Sequence, residues 1–183
     1  MKGSSSYMKR GGKMTGGELE QYIIKYRKTV WSAALCYIKN PADADDIVQD
    51  VFLKLFTYNG TFESDEHLKA WLIRCAINRS KNLLRSHWYR FSVPLEAAMG
   101  KPYSDDKECG GYDMPVLFMK LSPKNRVVFY LHYYEGYSIA ETARILGISE
   151  SAAGVRLMRG RKQLEKALNN ERSENNGLQN DCR

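Results

Sequence analysis

The stretch from Ser138 to Arg161 constrains this chain more than any other, because it spells out two helices and the turn that crosses them. Ser138 is a capping residue ahead of a first helix, Ile139 to Leu146, whose expected packed side is Ile139, Ala140, Ala143 and Leu146. Gly147 suits the left-handed position that ends such a helix. Ile148 supplies an apolar anchor in the turn, and Ser149 caps a second helix from Glu150 to about Leu164. Small side chains at Ala140 and Ala143 let the two helices cross closely at a steep angle. The second helix carries Arg156, Arg159, Arg161 and Lys162 beyond its first turns. In a helix-turn-helix, the first residues of that helix reach base edges and later cations hold phosphates. A helical hairpin with a solvated basic face is the plainer alternative; the turn chemistry and the basic helix together favour DNA.

The remainder of the chain is consistent with an all-α protein. Its 183 residues suffice for one ordinary domain or two small ones. Two helical regions are expected, 18–90 and 116–168, joined by a flexible linker over 91–115. The linker is rich in Pro, Gly and acidic residues and lacks periodicity. Residues 1–17 are expected to be disordered, and 169–183 to form a polar frayed tail. No run approaches the roughly 18 apolar residues that cross a bilayer, and no signal-like segment stands at the N-terminus. A cytoplasmic location without membrane insertion is therefore expected. Cys36, Cys75, Cys109 and Cys182 have no paired spacing, which argues against a zinc site or a disulfide framework. The net charge of +7 is unevenly spread, with basic blocks over 64–90 and 120–162 separated by an acidic stretch. That pattern suits two surfaces facing a polyanion.

Two constellations lie upstream. After Asn40-Pro41 starts a helix, Asp43, Asp46 and Asp50 fall on one face, flanked by Asp45 and Gln49 and opposed by an apolar face. The helix dipole explains acidic residues in a first turn but not Asp50 in the third, so an acidic docking face for a basic protein is the sharper reading. On the next helix Arg74, Asn78, Lys81 and Arg85 form a polar, basic stripe, with Trp71, Trp88, Tyr89 and Phe91 on or near it. Cations among aromatics suit single-stranded nucleic acid, where bases stack and the backbone is held by charge. Trp71 alone is more simply a core residue.

The segments Asp43–Phe56 (DADDIVQDVFLKLF), His67–Arg74 (HLKAWLIR) and Asn78 to Arg85 resemble the core-binding and promoter-melting region of bacterial sigma factors. Leu121–Phe129 (LSPKNRVVF), Tyr134–Ser138 (YEGYS) and the helix-turn-helix resemble that family's C-terminal promoter-reading region. Having only these two regions, with a short linker, is the layout of the extracytoplasmic-function (ECF) group of alternative sigma factors. The resemblance covers about Tyr22 to Leu168.

The resemblance implies that Asp43, Asp46, Gln49 and Asp50 dock on the core of RNA polymerase. It implies that Trp71, Arg74, Asn78, Arg79, Lys81, Asn82 and Arg85 line the opened strand at the -10 element, behind a loop from Tyr58 to His67 that captures a flipped base. Ser149, Glu150, Ser151, Arg156, Arg159 and Arg161 would contact the -35 element. An anti-sigma factor is a further candidate partner, since members of the group commonly have one. No cofactor, metal or catalytic residue is implied. Where the family commonly carries a polar or basic residue in the reading helix, Ser151-Ala-Ala-Gly154 stands here. The glycine costs roughly 1 kcal/mol of helix propensity against alanine. Close backbone approach to DNA, or readout through DNA shape, is expected in compensation.

Two other classes compete. A stand-alone helix-turn-helix repressor would need neither the acidic helix nor the aromatic-basic one. An enzyme on nucleic acid would need carboxylates and His at ligand spacing, whereas His67, His87 and His132 are scattered.

Overall fold

The computed structural model describes residues 14–38, 40–86 and 116–180. These residues form α-helices and one π-helical turn, with no strand among them. The chain divides into two compact units, Met1–Lys101 and Pro102–Arg183. The expected linker over 91–115 and the aromatics Trp88, Tyr89 and Phe91 lie outside the described residues.

The first unit packs three helices: α1 (Gly16–Leu35), α2 (Pro41–Phe56) and α3 (Asp65–Arg85). Each begins on a side-chain cap that satisfies backbone N–H groups the helix leaves unpaired. Thr15 and Glu18 form a reciprocal capping box, the Thr15 hydroxyl accepting from the Glu18 N–H and the Glu18 carboxylate from the Thr15 N–H. This cap starts α1 at Gly16, inside the segment the sequence suggested was disordered to residue 17. Asn40 accepts from the Ala42 N–H at 3.1 Å, with Pro41 in the first helical turn. Ser64 accepts from the His67 N–H at 3.0 Å.

The helices bury a shared core of Val30, Trp31 and Ala34 from α1, Ile47, Val51 and Leu55 from α2, and Leu68, Leu72, Ile73 and Ile77 from α3. Each large aliphatic side chain here contributes roughly 1.5–3 kcal/mol. On α3, Ile73 and Ile77 are buried, while Trp71, which the sequence alone suggested as a core residue, is half-buried, as are Cys75 and Leu83. Cys36 is a fully buried small core residue, and burial pushes the Cys75 thiol up.

The second unit comprises α4 (Val116–Met119), α5 (Pro123–Phe129), a π-helical turn (Tyr130–Tyr134), α6 (Ile139–Leu146) and α7 (Glu150–Asn180). Arg126 is buried at its centre. Its guanidinium donates to the carbonyls of Phe118 at 3.0 Å and of Met119 and Leu121 at 2.8 Å each, closing the end of α4 against α5. Gly160 on α7 meets Phe129 so closely that a Cβ would overlap the ring, which seats α7 on α5. Helix α7 also runs past the expected end near Leu164, through part of the anticipated frayed tail, to Asn180. Extending an established helix needs no new nucleus, so a polar sequence can continue it.

Candidate nucleic-acid interface

In the first unit, Asp46, Gln49 and Asp50 stand exposed along α2. Asp43 is half-buried, and burial raises its pKa; Asn40 opposes that rise by a hydrogen bond and Asp46 adds to it. Asp45 turns instead to α1, where it accepts from Arg27 at 3.1 Å. Asp50 accepts from the Arg79 Nε at 2.6 Å, so the acidic face of α2 borders the basic face of α3.

On α3, Trp71, Arg74, Asn78, Asn82 and Arg85 recur every three or four residues and therefore share one face. Arg74, Asn78, Asn82 and Arg85 are exposed. Arg79 stands beside that face, toward Asp50. Lys81 is half-buried, with its ammonium 5.5 Å from the ring centre of Tyr37.

Trp71 is neither core nor an isolated stacking ring. It closes an aromatic nest with Tyr58 at 4.9 Å and Phe62 at 5.5 Å between ring centroids, and Lys54 lies 5.7 Å from its ring centre. Phe62 in turn meets the His67 ring edge-on at 5.7 Å. The resemblance implied a loop from Tyr58 to His67 but not that Tyr58 and Phe62 pack on Trp71. The available signal was Tyr58 and Phe62 flanking Asn59-Gly60; a Cβ at residue 60 would overlap the Tyr58 ring.

In the second unit the turn chemistry is as expected. Ser138 and Glu141 form a capping box, and the two hydrogen bonds from Ser138 hold the Glu141 carboxyl below its ordinary range. Gly147 adopts φ +64°, the left-handed conformation suited to glycine. The Ser149 hydroxyl accepts from the Ala152 N–H at 3.2 Å. The packed side of α6 differs from expectation. Thr142, Ala143, Ile145 and Leu146 are buried, Ala140 is half-buried, and Ile139 is turned outward.

The cap Ser149 is exposed, as are Glu150, Ser151, Arg159 and Lys162 along α7, and Arg156 is half-buried. Arg161 is held by the π-helical turn: its Nε and Nη2 donate to the Tyr133 hydroxyl at 2.9 and 2.7 Å. Gly154 leaves open space where a Cβ would project. Val155 and Met158, which the sequence reading did not single out, are exposed on the same helix. Among the described residues no group of His, Cys, Asp and Glu could hold a metal, and no helix is long and apolar enough to cross a membrane.

This pair of surfaces, an acidic-basic helical unit and a basic helix-turn-helix, has clear relatives. Residues 23–90 match Sigma-70 region 2, and residues 115–164 match Sigma-70, region 4. The ECF RNA polymerase sigma factor SigM of Mycobacterium tuberculosis is 28% identical over 151 residues, covering 81% of this chain and 76% of that protein. The RNA polymerase sigma-E factor of Streptomyces coelicolor is 28% identical over 158 residues, covering 82% and 86%. Among solved structures, CnrH in complex with the cytosolic domain of CnrY aligns with a TM-score of 0.59 and 27% identity, covering 85% of this chain and 90% of that one. The sigma factor RpoE of Bartonella quintana, solved with the anti-sigma factor NepR, shares the fold at a TM-score of 0.64 and 21% identity, covering 83% and 97%. The chain belongs to the sigma-70 family, as a two-region member of its ECF group. It is an alternative sigma factor for transcription initiation, and such factors carry no catalysis of their own.

Proposed function

We propose that the exposed face of α2, with Asp46, Gln49 and Asp50 at its centre and Asp43 at its edge, binds the core of RNA polymerase. The face of α3 that runs from Trp71 through Arg74, Asn78, Asn82 and Arg85 then follows the opened strand at the -10 element, with Arg79 and Lys81 at its margin. The nest of Tyr58, Phe62 and Trp71 presents aromatic surface to an unstacked base. In the second unit, Ser149, Glu150 and Ser151 approach base edges of the -35 element in the major groove, while Arg156 and Arg159 hold phosphates. Arg161 orients through Tyr133 before reaching the backbone. The protein works in the cytoplasm, over domain limits near 18–90 and 116–168. An anti-sigma factor is a fitting partner, since RpoE of Bartonella quintana has been solved bound to one, NepR.

The observation that carries this reading is the ion pair of Asp50 and Arg79, where the acidic face of α2 meets the basic face of α3. A stand-alone repressor has use for neither. The test is in vitro transcription with purified bacterial core polymerase, with and without this protein. Discrete promoter-specific products should appear only when it is added; no gain over core alone would overturn the proposal.

A further inference from the structure

The reading helix presents an apolar strip where base edges would lie. Ser151, Val155, Met158 and Lys162 recur at four-, three- and four-residue spacing on α7, which places them on one face. The burial pattern fixes that face as the outer one: Ala153, Leu157 and Gly160 on the opposite side are buried, whereas Val155 is 40% exposed and Met158 63%. Gly154 flanks the strip on one side without a side chain, and Arg159 flanks it on the other. Val155 and Met158 thus form a neighbouring exposed apolar pair in the first three turns of the reading helix, open to an apolar partner.

The basic residues around the strip identify the partner's chemistry. Arg159 beside the strip and Lys162 at its end, both exposed, bring a phosphate backbone to this face. On the major-groove edge of duplex DNA the apolar group is the C5 methyl of thymine; the other edge positions offer donors and acceptors. We infer that Val155 and Met158 read thymine methyl groups in the upstream promoter element, making them specificity-determining residues that stand in for the polar reading side chain missing at Gly154. This rests on the proposed placement of α7 in the major groove.

The test uses the full chain assembled with bacterial core polymerase and duplex DNA randomised over the upstream element. The recovered sequences should contain one or two fixed thymines. Replacing each by deoxyuridine removes only the methyl group, and should weaken binding by about fourfold per position. Val155→Ala and Met158→Ala should each abolish the uracil sensitivity at one position and leave the salt dependence of binding unchanged. Both side chains are exposed, and the uracil comparison on the unaltered protein needs no variant. Equal affinity for thymine and uracil duplexes, a recovered element lacking thymine on both strands, or unchanged uracil sensitivity in both variants would overturn the inference. Failure to enrich any upstream element is a separate result: it removes the placement of α7 on promoter DNA, and this inference with it.

Discussion

Asp50 on α2 and Arg79 on α3 form an ion pair at 2.6 Å, each with about half its side chain open to solvent (45% and 50%). The pair joins the proposed polymerase-docking face to the proposed strand-binding face. So exposed a pair adds little to folding, roughly 0–1 kcal/mol. A double-mutant cycle of Asp50→Asn and Arg79→Gln should therefore show a coupling below about 1 kcal/mol in urea unfolding. Tryptophan fluorescence reports on the first unit, since all three tryptophans (Trp31, Trp71 and Trp88) fall within its span. By contrast, reversing charge with Asp46→Lys and Asp50→Lys should weaken binding to core polymerase about tenfold or more, because like charges would then face each other. A pull-down that retains full core binding, with the fold intact by circular dichroism, would remove α2 as the docking helix.

Acid should loosen the first unit through Asp65. Burial alone would raise its pKa, but the Lys25 ammonium and the Tyr26 hydroxyl outweigh burial and hold it below the ordinary 3.8. A carboxyl lowered by folding adds stability above its unfolded pKa and loses it as pH falls through the folded value. The stability gap between the parent and Asp65→Asn should thus be largest near neutral pH and shrink toward zero below pH 3.8. Urea titrations followed by fluorescence at neutral and acidic pH measure the gap; one that widens on acidification would contradict the assignment.

The seat of α7 on α5 depends on the missing side chain at Gly160. A methyl group there overlaps the Phe129 ring, and relieving the clash requires shifting a buried aromatic or the helix. Gly160→Ala gains roughly 1 kcal/mol of helix propensity but should still be destabilising, because overpacking typically costs 1–3 kcal/mol. Pairing it with Phe129→Leu should recover part of the loss. A stabilised single variant in thermal unfolding would show that the contact yields without strain.

What the sequence made legible was the local chemistry. Ser138, Gly147 and Ser149 act within one turn of themselves, so their roles follow from residue type and order. The same holds for Asn40-Pro41 and for the spacing of Asp43, Asp46 and Asp50. What stayed hidden was decided by neighbours distant along the chain. Arg126 reads as one more surface cation until the carbonyls of Phe118, Met119 and Leu121 are seen to converge on it. Gly160 looks like a helix defect until Phe129 fills its place. Ile139 fits an apolar period on α6, yet the packed side is set by α7 and falls on Ile145 instead. Likewise Arg161 belongs with the phosphate-holding arginines by sequence, while the structure ties it to Tyr133.

Gly154 is the opposite case to Gly160, and the contrast separates folding from recognition. A Cβ at residue 154 meets nothing within 4 Å, and the backbone there is ordinary helix, so no part of the fold requires glycine. Gly154→Ala should therefore raise the stability of the second unit by roughly 1 kcal/mol. If glycine serves to bring the reading helix close to DNA, the same methyl group should lower affinity for promoter duplex while the salt dependence stays fixed, because no phosphate contact is lost. Thermal unfolding and a binding titration at two salt concentrations give the two quantities from one variant. A gain in both stability and affinity would mean the helix lies no closer to DNA than an alanine allows. Readout at that position would then rest on DNA shape or on side chains beside it.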